Sequence, residues 1–346
     1  MSRRTLPRNT VIVGDAREKL ATLPARSIDC VITSPPYFQL RDYQVGGQIG
    51  LEDRVENWAD ELCTVMRGIA RVLKPGGSVW LNLGDSYSRH PKYGAARKSL
   101  LLGGERVALG LIQDGWTIRN KVIWSKTNNM PNSVRDRLSC SWEVVYFLTR
   151  SERYSFDLDA IRVPARSARN AERSGKPYPP ASSLPPRWAG PLAGSNAGLA
   201  RLKAEGRVSH PLGKNPSDVW ALPAANFRGA HFATFPPALV TRPLLASCPE
   251  RVCRGCGAPW ERQAARRANG LSTLGELQPA CECRGGWQPG VVLDPFFGAG
   301  TVGLVAEQHK RDWLGIELNP DFVALAEERI AAAREGVMTT NERRSA

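Results

Sequence analysis

The chain has 346 residues, enough for one large α/β domain with insertions or for two domains, and its 42% hydrophobic content is ordinary for a globular protein. No uninterrupted apolar run of about 18 residues occurs, and the basic N-terminal stretch MSRRTLPRNT has no apolar segment behind it. Neither a membrane span nor a secretory signal is therefore expected, and a cytoplasmic location is. The net charge of +14 is unevenly placed: residues 161–230 hold 11 Lys and Arg against 3 Asp and Glu, which suits a polyanion such as nucleic acid and equally a soluble surface with a basic loop.

In chain order, β-type runs alternate with helical stretches. They are VIVGD (Val11 to Asp15), CVITS (Cys30 to Ser34), SVWLNLGD (Ser78 to Asp85), KVIWSK (Lys121 to Lys126), VVYFLT (Val144 to Thr149), VVLDPF (Val291 to Phe296) and WLGIEL (Trp313 to Leu318). Seven strands with helices between them predict a mainly parallel sheet covered on both faces. Between the second and third strands, Asn57 to Leu73 repeats apolar residues at helical spacing, and Lys74-Pro75-Gly76-Gly77 reads as the turn that ends that helix. Near the C-terminus Asn319 can cap a helix with Pro320 at its first position and Asp321 in its first turn, and residues 337–346 read as a tail. The region from about Val163 to Asp218 differs: it is rich in Pro, Gly, Ser and Arg with little periodicity, and reads as an insertion or a small irregular domain, partly ordered only on binding.

Two strand ends carry chemistry. VITSPPY stops on consecutive prolines, which remove two N–H donors and hold φ near about −65°, so the carbonyl oxygens around Ser34 and Pro35 form an acceptor site. Tyr37 adds a π-face for a base and an aromatic edge for a positively charged methyl donor. An ordinary proline turn or a polyproline II ligand is the plainer reading of SPPY alone. The second strand end, VVLDPFFGAGTVG, places Gly298, Gly300 and Gly303 between strand and helix, and Glu317 ends the next strand 19 residues after Gly298. That spacing fits a dinucleotide fingerprint, in which the later carboxylate accepts ribose hydroxyls. Two details weigh against a dinucleotide. Only 29 residues follow Glu317, so the sheet must be completed from upstream, and Asp294-Pro295 puts a carboxylate just before the glycines, a charge that suits a cationic ligand group better than a pyrophosphate.

TSPPY at one strand end together with LDPFFGAGT at another resembles the amino-methyltransferases of DNA, which modify N4 of cytosine or N6 of adenine. The order, with SPPY before the basic insertion and the glycine motif after it, is similar to the β class of that family. The resemblance spans most of the chain and implies a Rossmann-like, S-adenosylmethionine-dependent methyltransferase fold with permuted motifs. By that resemblance Asp15 approaches the cofactor adenine; Asp294, Phe296, Gly298 and Gly300 bind its methionine part; Glu317 holds its ribose; and Thr33, His231, Phe232, Pro295 and Thr301 complete the cofactor site. Ser34, Pro35, Pro36 and Tyr37 hold the flipped target base, and Gly229 to Leu239 belongs to the segment flanking the methionine end. Ser before the two prolines, preceded by Thr, is the version usual among N4-cytosine enzymes, so cytosine N4 is expected, with adenine N6 as the alternative. The partners implied are double-stranded DNA and a possible cognate restriction endonuclease, with no membrane. C5 methylation is disfavoured because no cysteine here follows a proline.

Eight cysteines in a reduced compartment suit metal better than disulfides. Cys253-x2-Cys256 and, 25 residues on, Cys281-x-Cys283 offer four thiolates for a structural Zn²⁺, with Cys248 as a possible substitute and free thiols as the alternative. Cys30, Cys63 and Cys140 sit in apolar or element-like contexts. The expected organisation is a catalytic half at 10–160, a target-recognition insertion at 161–218, and a segment of the cofactor site at 219–247. A Cys-rich insertion at 248–288 and a cofactor-binding half at 289–336 follow. Two other functions stay open: methylation of RNA or a protein amide by the same machinery, and a catalytically silent, zinc-containing DNA-binding protein.

Overall fold

The computed structural model describes residues 5–129, 132–164, 212–225, 234–262, 265–266, 272–273 and 275–336. One sheet dominates, built from β1 (Thr10–Val13), β2 (Ile28–Thr33), β3 (Leu73–Leu83), β4 (Thr117–Lys126), β5 (Trp142–Thr149), β6 (Val219–Leu222), β7 (Val291–Asp294) and β8 (Asp312–Glu317). Its order is β1-β8-β7-β2-β3-β5-β4-β6, with β5 antiparallel to both neighbours and every other pairing parallel. All seven expected strands are present. The eighth, β6, was not expected: VWAL is four residues long and pairs at the sheet's edge with β4, too short to announce itself by alternation.

Among the described residues six α-helices accompany the sheet: α1 (Ala16–Thr22), α2 (Val55–Val72), α3 (Gly103–Gln113), α4 (Pro237–Ser247), α5 (Thr301–Gln308) and α6 (Pro320–Arg334). Strand alternation sorts them into two layers. Val31 of β2 and Leu293 of β7 join Leu20, Ile69 and Leu111 from α1, α2 and α3 in one core, whereas Cys30, Ile32 and Val292 join Leu244, Val305 and Ile330 from α4, α5 and α6 in another. All residues of β2 and β7 are buried, as expected of strands covered on both faces.

Helix α2 begins two residues before the expected Asn57 and ends at Val72, with an apolar stripe through Trp58, Leu62, Val65 and Ile69. The Lys74-Pro75-Gly76-Gly77 stretch corrects the reading of a turn. It is extended and already part of β3, and the register jumps from Ile28↔Leu73 to Cys30↔Ser78. A Cβ on Gly77 would lie 2.8 Å from the Asp29 carbonyl, so this bulge requires glycine. Lys74 Nζ reaches Asp29 Oδ1 at 2.6 Å and Asp29 Oδ2 accepts the Val291 N–H at 2.9 Å, tying β2, β3 and β7 together at their amino ends. The Asn319 cap of α6 is as expected: its side chain accepts the Asp321 N–H, with Pro320 in the first turn.

The chain divides into two compact units, residues 1–157, 217–261 and 279–346 in one and residues 158–216 and 262–278 in the other. The sheet and helices α1 to α6 belong to the first. In the second, Val163 bridges Lys214, and Arg162 binds the Asp159 carboxylate and the Gly213 carbonyl. Residues 165–211, the bulk of the expected target-recognition insertion, lie outside the described residues, as does the 337–346 tail. Among the described residues no helix is long and apolar enough to cross a membrane.

Candidate active site

Because β1, β8, β7, β2 and β3 run parallel, their carboxyl ends open on one side, where ligands of such sheets bind. The register Cys30↔Val292 and Val31↔Leu293 brings the end of VITS beside the end of VVLD. Thr33 Oγ1 donates to Asp294 Oδ1 at 2.6 Å, joining two residues 261 positions apart. Asp294 is wholly buried, and its Oδ1 also accepts the Phe296 N–H at 3.0 Å. Burial pushes the Asp294 carboxyl up to about 8, opposed by the Thr33 and Phe296 donors and reinforced by Glu317. A turn-capping role accounts for Oδ1. It leaves Oδ2, buried and without a partner, unexplained.

The glycine turn follows from the backbone it must adopt. Gly298 and Gly300 have φ of 50° and 73°, and Gly300 caps α5 from the left-handed region. Gly303 serves packing instead: a Cβ there would lie 2.7 Å from the ring of Phe297, which stacks on Trp313 with centroids 5.1 Å apart. Glu317 braces the turn, with Oε2 accepting the Gly298 N–H at 2.7 Å and Oε1 the Asn319 N–H at 2.9 Å. Burial raises its carboxyl above the usual range.

One cavity, open to solvent, joins both motifs. Asp15, Pro295, Phe296, Gly298, Thr301 and Glu317 line it together with Ser34 and Pro36. Asp15 caps α1 through the Arg17 N–H, and the Arg17 guanidinium against it holds its carboxyl below the usual range. Among the remaining expected residues, Thr33, Pro35, Tyr37, Asp294 and Gly300 are not part of the cavity lining, and Thr33 and Asp294 are buried. His231 and Phe232 lie outside the described residues, although Thr234 and Phe235, just before α4, reach the lining. Among the wall residues that the sequence reading missed are Tyr43 and Phe322, whose rings meet edge to face at 6.2 Å.

The SPPY segment is fixed from behind. The Pro36 carbonyl accepts Trp58 Nε1–H at 2.9 Å, so α2 anchors the turn. The Tyr37 hydroxyl, which the sequence left unassigned, donates to Glu143 Oε2 at 2.6 Å, and its ring lies against Gly84, where a Cβ would approach within 2.5 Å. Burial and the Glu143 charge keep that hydroxyl protonated well above its ordinary range. Asn82 Nδ2 reaches Tyr37 Oη at 2.7 Å, Glu143 Oε2 at 2.9 Å and Ser34 Oγ at 3.2 Å, and Ser34 Oγ lies 3.2 Å from Tyr37 Oη. Lys126 pairs with the other Glu143 oxygen. Asn82, Lys126 and Glu143 were not foreseen, because each stands alone on a different strand.

In the Cys-rich segment, Val252–Cys253 pairs antiparallel with Trp287–Gln288. The Sγ atoms of Cys253, Cys256, Cys281 and Cys283 all lie within 4.8 Å of one another. Tetrahedral zinc with Zn–S bonds of about 2.3 Å needs sulfurs roughly 3.8 Å apart, which this donor set fits. The Gly255 N–H points at Cys253 Sγ at 3.3 Å, and the backbone of Cys256 and Gly255 pulls the Cys253 thiol down to about 6. Cys248 is not in this group: it is buried in the core, which corrects its reading as a substitute ligand. Cys140 is also corrected, being exposed in the loop before β5.

Comparison with known proteins agrees with this geometry. The family model described as DNA methylase matches residues 28–328. The Type II methyltransferase M.SmaI of Serratia marcescens is 32% identical over 94% of this chain and 91% of its own length, and M.Cfr9I of Citrobacter freundii is 32% identical over 93% and 87%. M.SfiI of Streptomyces fimbriatus is 48% identical over a shorter stretch, 48% of this chain and 42% of its own. Among solved structures, the PvuII DNA methyltransferase (cytosine-N4-specific) shares the fold with a TM-score of 0.56 at 18% identity, over 96% of this chain and 93% of its own. A putative DNA modification methylase from Thermus thermophilus, complexed with S-adenosyl-L-methionine, shares it with a TM-score of 0.52 at 24% identity, over 93% of each chain.

Proposed function

This chain belongs to the DNA methylase family of N6 and N4 methyltransferases, and from that premise we propose that it methylates the exocyclic N4 amine of cytosine in double-stranded DNA. The carrying observation is that Ser34 and Pro36 share one cavity with Gly298 and Glu317. A base acceptor site and a cofactor cradle are then within reach of each other. The choice of cytosine over adenine rests on Ser34, preceded by Thr33, before the two prolines.

The fit to S-adenosylmethionine rests on the unpartnered Asp294 Oδ2, which suits a cationic group, and on the positive-φ glycines, which let a ligand approach the backbone closely. Asp294, Phe296, Gly298 and Thr301 would hold the methionine part, Glu317 the ribose and Asp15 the adenine end. When bound, the cofactor supplies a methyl group made electrophilic by its sulfonium. The protein's own residues prepare the nucleophile. The amine of cytosine is weak because its lone pair is delocalised into the ring; Ser34 Oγ and the Pro35 carbonyl, accepting its two N–H groups, localise that pair on nitrogen. Tyr43 and Phe322 give the cavity aromatic walls. Rate then comes from positioning and fixed dipoles rather than from a separate acid or base.

The net charge of +14 supports a phosphate backbone as partner, and the basic insertion at 161–218 is assigned to target recognition. Cys253, Cys256, Cys281 and Cys283 are assigned a structural zinc. The Type II relatives suggest a restriction endonuclease as companion in the cell. The acceptor is tested by offering labelled S-adenosylmethionine with DNA, RNA and protein in competition. Label in DNA supports the reading. Label in RNA or protein alone overturns it, and an absence of both transfer and cofactor binding favours a silent DNA-binding protein.

A further inference from the structure

We infer that Glu143, held by Lys126, is a positioning residue that sets the direction of the hydrogen bonds behind Ser34, so that Ser34 Oγ meets the target amine as an acceptor. The inference rests on the proposed role of Ser34 and goes beyond it.

A serine hydroxyl can donate or accept, and nothing in Ser-Pro-Pro-Tyr decides which. The chain of contacts behind it does. Glu143 is acceptor-only as a carboxylate, and its Oε1 is taken by the Lys126 ammonium. Its Oε2, 2.6 Å from Tyr37 Oη, therefore takes the phenolic proton. With that proton committed, the Tyr37 oxygen can only accept from its other neighbours. Asn82 has two amide hydrogens, and its two shortest contacts are Tyr37 Oη at 2.7 Å and Glu143 Oε2 at 2.9 Å. Its amide oxygen in that place would face a carboxylate and a phenol already committed elsewhere, so the nitrogen is the end that belongs there. Ser34 Oγ, 3.2 Å from Tyr37 Oη, is then left to donate its proton to Tyr37 and to turn its lone pairs to the cavity it lines. Without the acceptor-only group at the far end, the hydroxyl can present its proton to the amine instead, which repels the N–H groups it should hold. All three supporting side chains are placed by the antiparallel part of the sheet. Asn82 pairs with Val145 across β3 and β5, and Glu143 with Trp124 across β5 and β4, two residues from Lys126.

The test compares full-length wild type, Glu143→Gln, Tyr37→Phe, Ser34→Ala and the Glu143→Gln/Tyr37→Phe double variant. Single-turnover rate, cofactor affinity by calorimetry and melting temperature are measured on each. Glutamine keeps the shape and can turn a donor toward Tyr37. The expected result is a fall of tenfold or more in the single-turnover rate for Glu143→Gln and for Tyr37→Phe, with cofactor affinity within twofold of wild type. The double variant should be no slower than the slower single one, because both changes break the same chain. The inference is overturned if Glu143→Gln keeps the wild-type rate while Ser34→Ala loses it, or if the two losses multiply. If Ser34→Ala itself keeps the wild-type rate, the proposed role of Ser34 has failed instead. Should Glu143→Gln not fold, Tyr37→Phe, which removes one oxygen, carries the test: a wild-type rate there overturns the inference.

Discussion

Replacing Asp294 by asparagine separates what the buried carboxylate costs the fold from what it offers the cofactor. Its carboxyl is pushed from an ordinary 3.8 up to about 8 by burial. A carboxyl whose pKa is higher folded than unfolded takes up a proton on folding, so stability is lost as pH rises from about 3.8 to about 8. Integrated to pH 7, that loss is on the order of 4 kcal/mol. Asparagine cannot ionise and keeps an acceptor for Thr33 Oγ1 and the Phe296 N–H, but it adds a buried donor that costs about 1–3 kcal/mol without a partner. The cofactor-free variant should gain about 2 kcal/mol at pH 7, or roughly 3 °C in Tm for a chain of this length. Binding moves the other way. In the wild type, affinity for S-adenosylmethionine should climb roughly 20-fold between about pH 6.0 and 7.5 as the carboxyl ionises. In the variant it should be at least tenfold weaker and nearly flat over that range. Thermal melting without ligand and titration calorimetry measure both. A variant that melts lower than wild type and binds the cofactor with unchanged affinity and pH dependence refutes the reasoning.

Gly84→Ala puts a methyl carbon 2.5 Å from a Tyr37 ring carbon, so it should displace Tyr37 and slow methyl transfer while leaving cofactor affinity alone, as rate and calorimetry on one preparation will show. Gly300→Ala places an alanine at φ 73° with its Cβ 2.9 Å from that of Ala326, and should cost at least about 1–3 kcal/mol by denaturant titration. Metal analysis of the purified chain should find one zinc per chain. Cys281→Ser should lower both that content and the Tm, whereas Cys248→Ser should leave the zinc content intact.

The two strand-end motifs were legible in the sequence because their chemistry is contiguous: proline pairs and glycine turns write backbone geometry into neighbouring letters. Their meeting was implied only by resemblance, and the pairing of β2 with β7 supplies its physical form in the Thr33–Asp294 hydrogen bond. The supports behind Ser34 were not legible. Asn82 and Lys126 are polar letters inside two β-type runs and Glu143 stands just before a third, and strand alternation alone does not say that they converge. The Lys-Pro-Gly-Gly stretch misled for a different reason. Its residues favour a turn, yet the close approach of Gly77 to the Asp29 carbonyl holds the same chain extended in a bulge. Tyr43 and Phe322 were missed because an aromatic residue in a loop or on a helix carries no mark of the cavity it walls.

The most direct test of the central claim identifies the modified nucleoside. Wild type and Ser34→Ala are incubated with labelled S-adenosylmethionine and genomic DNA, and the digested nucleosides are resolved by mass. The wild type is expected to yield N4-methylcytosine and Ser34→Ala to lose it, with cofactor affinity unchanged. N6-methyladenine as the sole product, or undiminished N4-methylcytosine from Ser34→Ala, would contradict that claim.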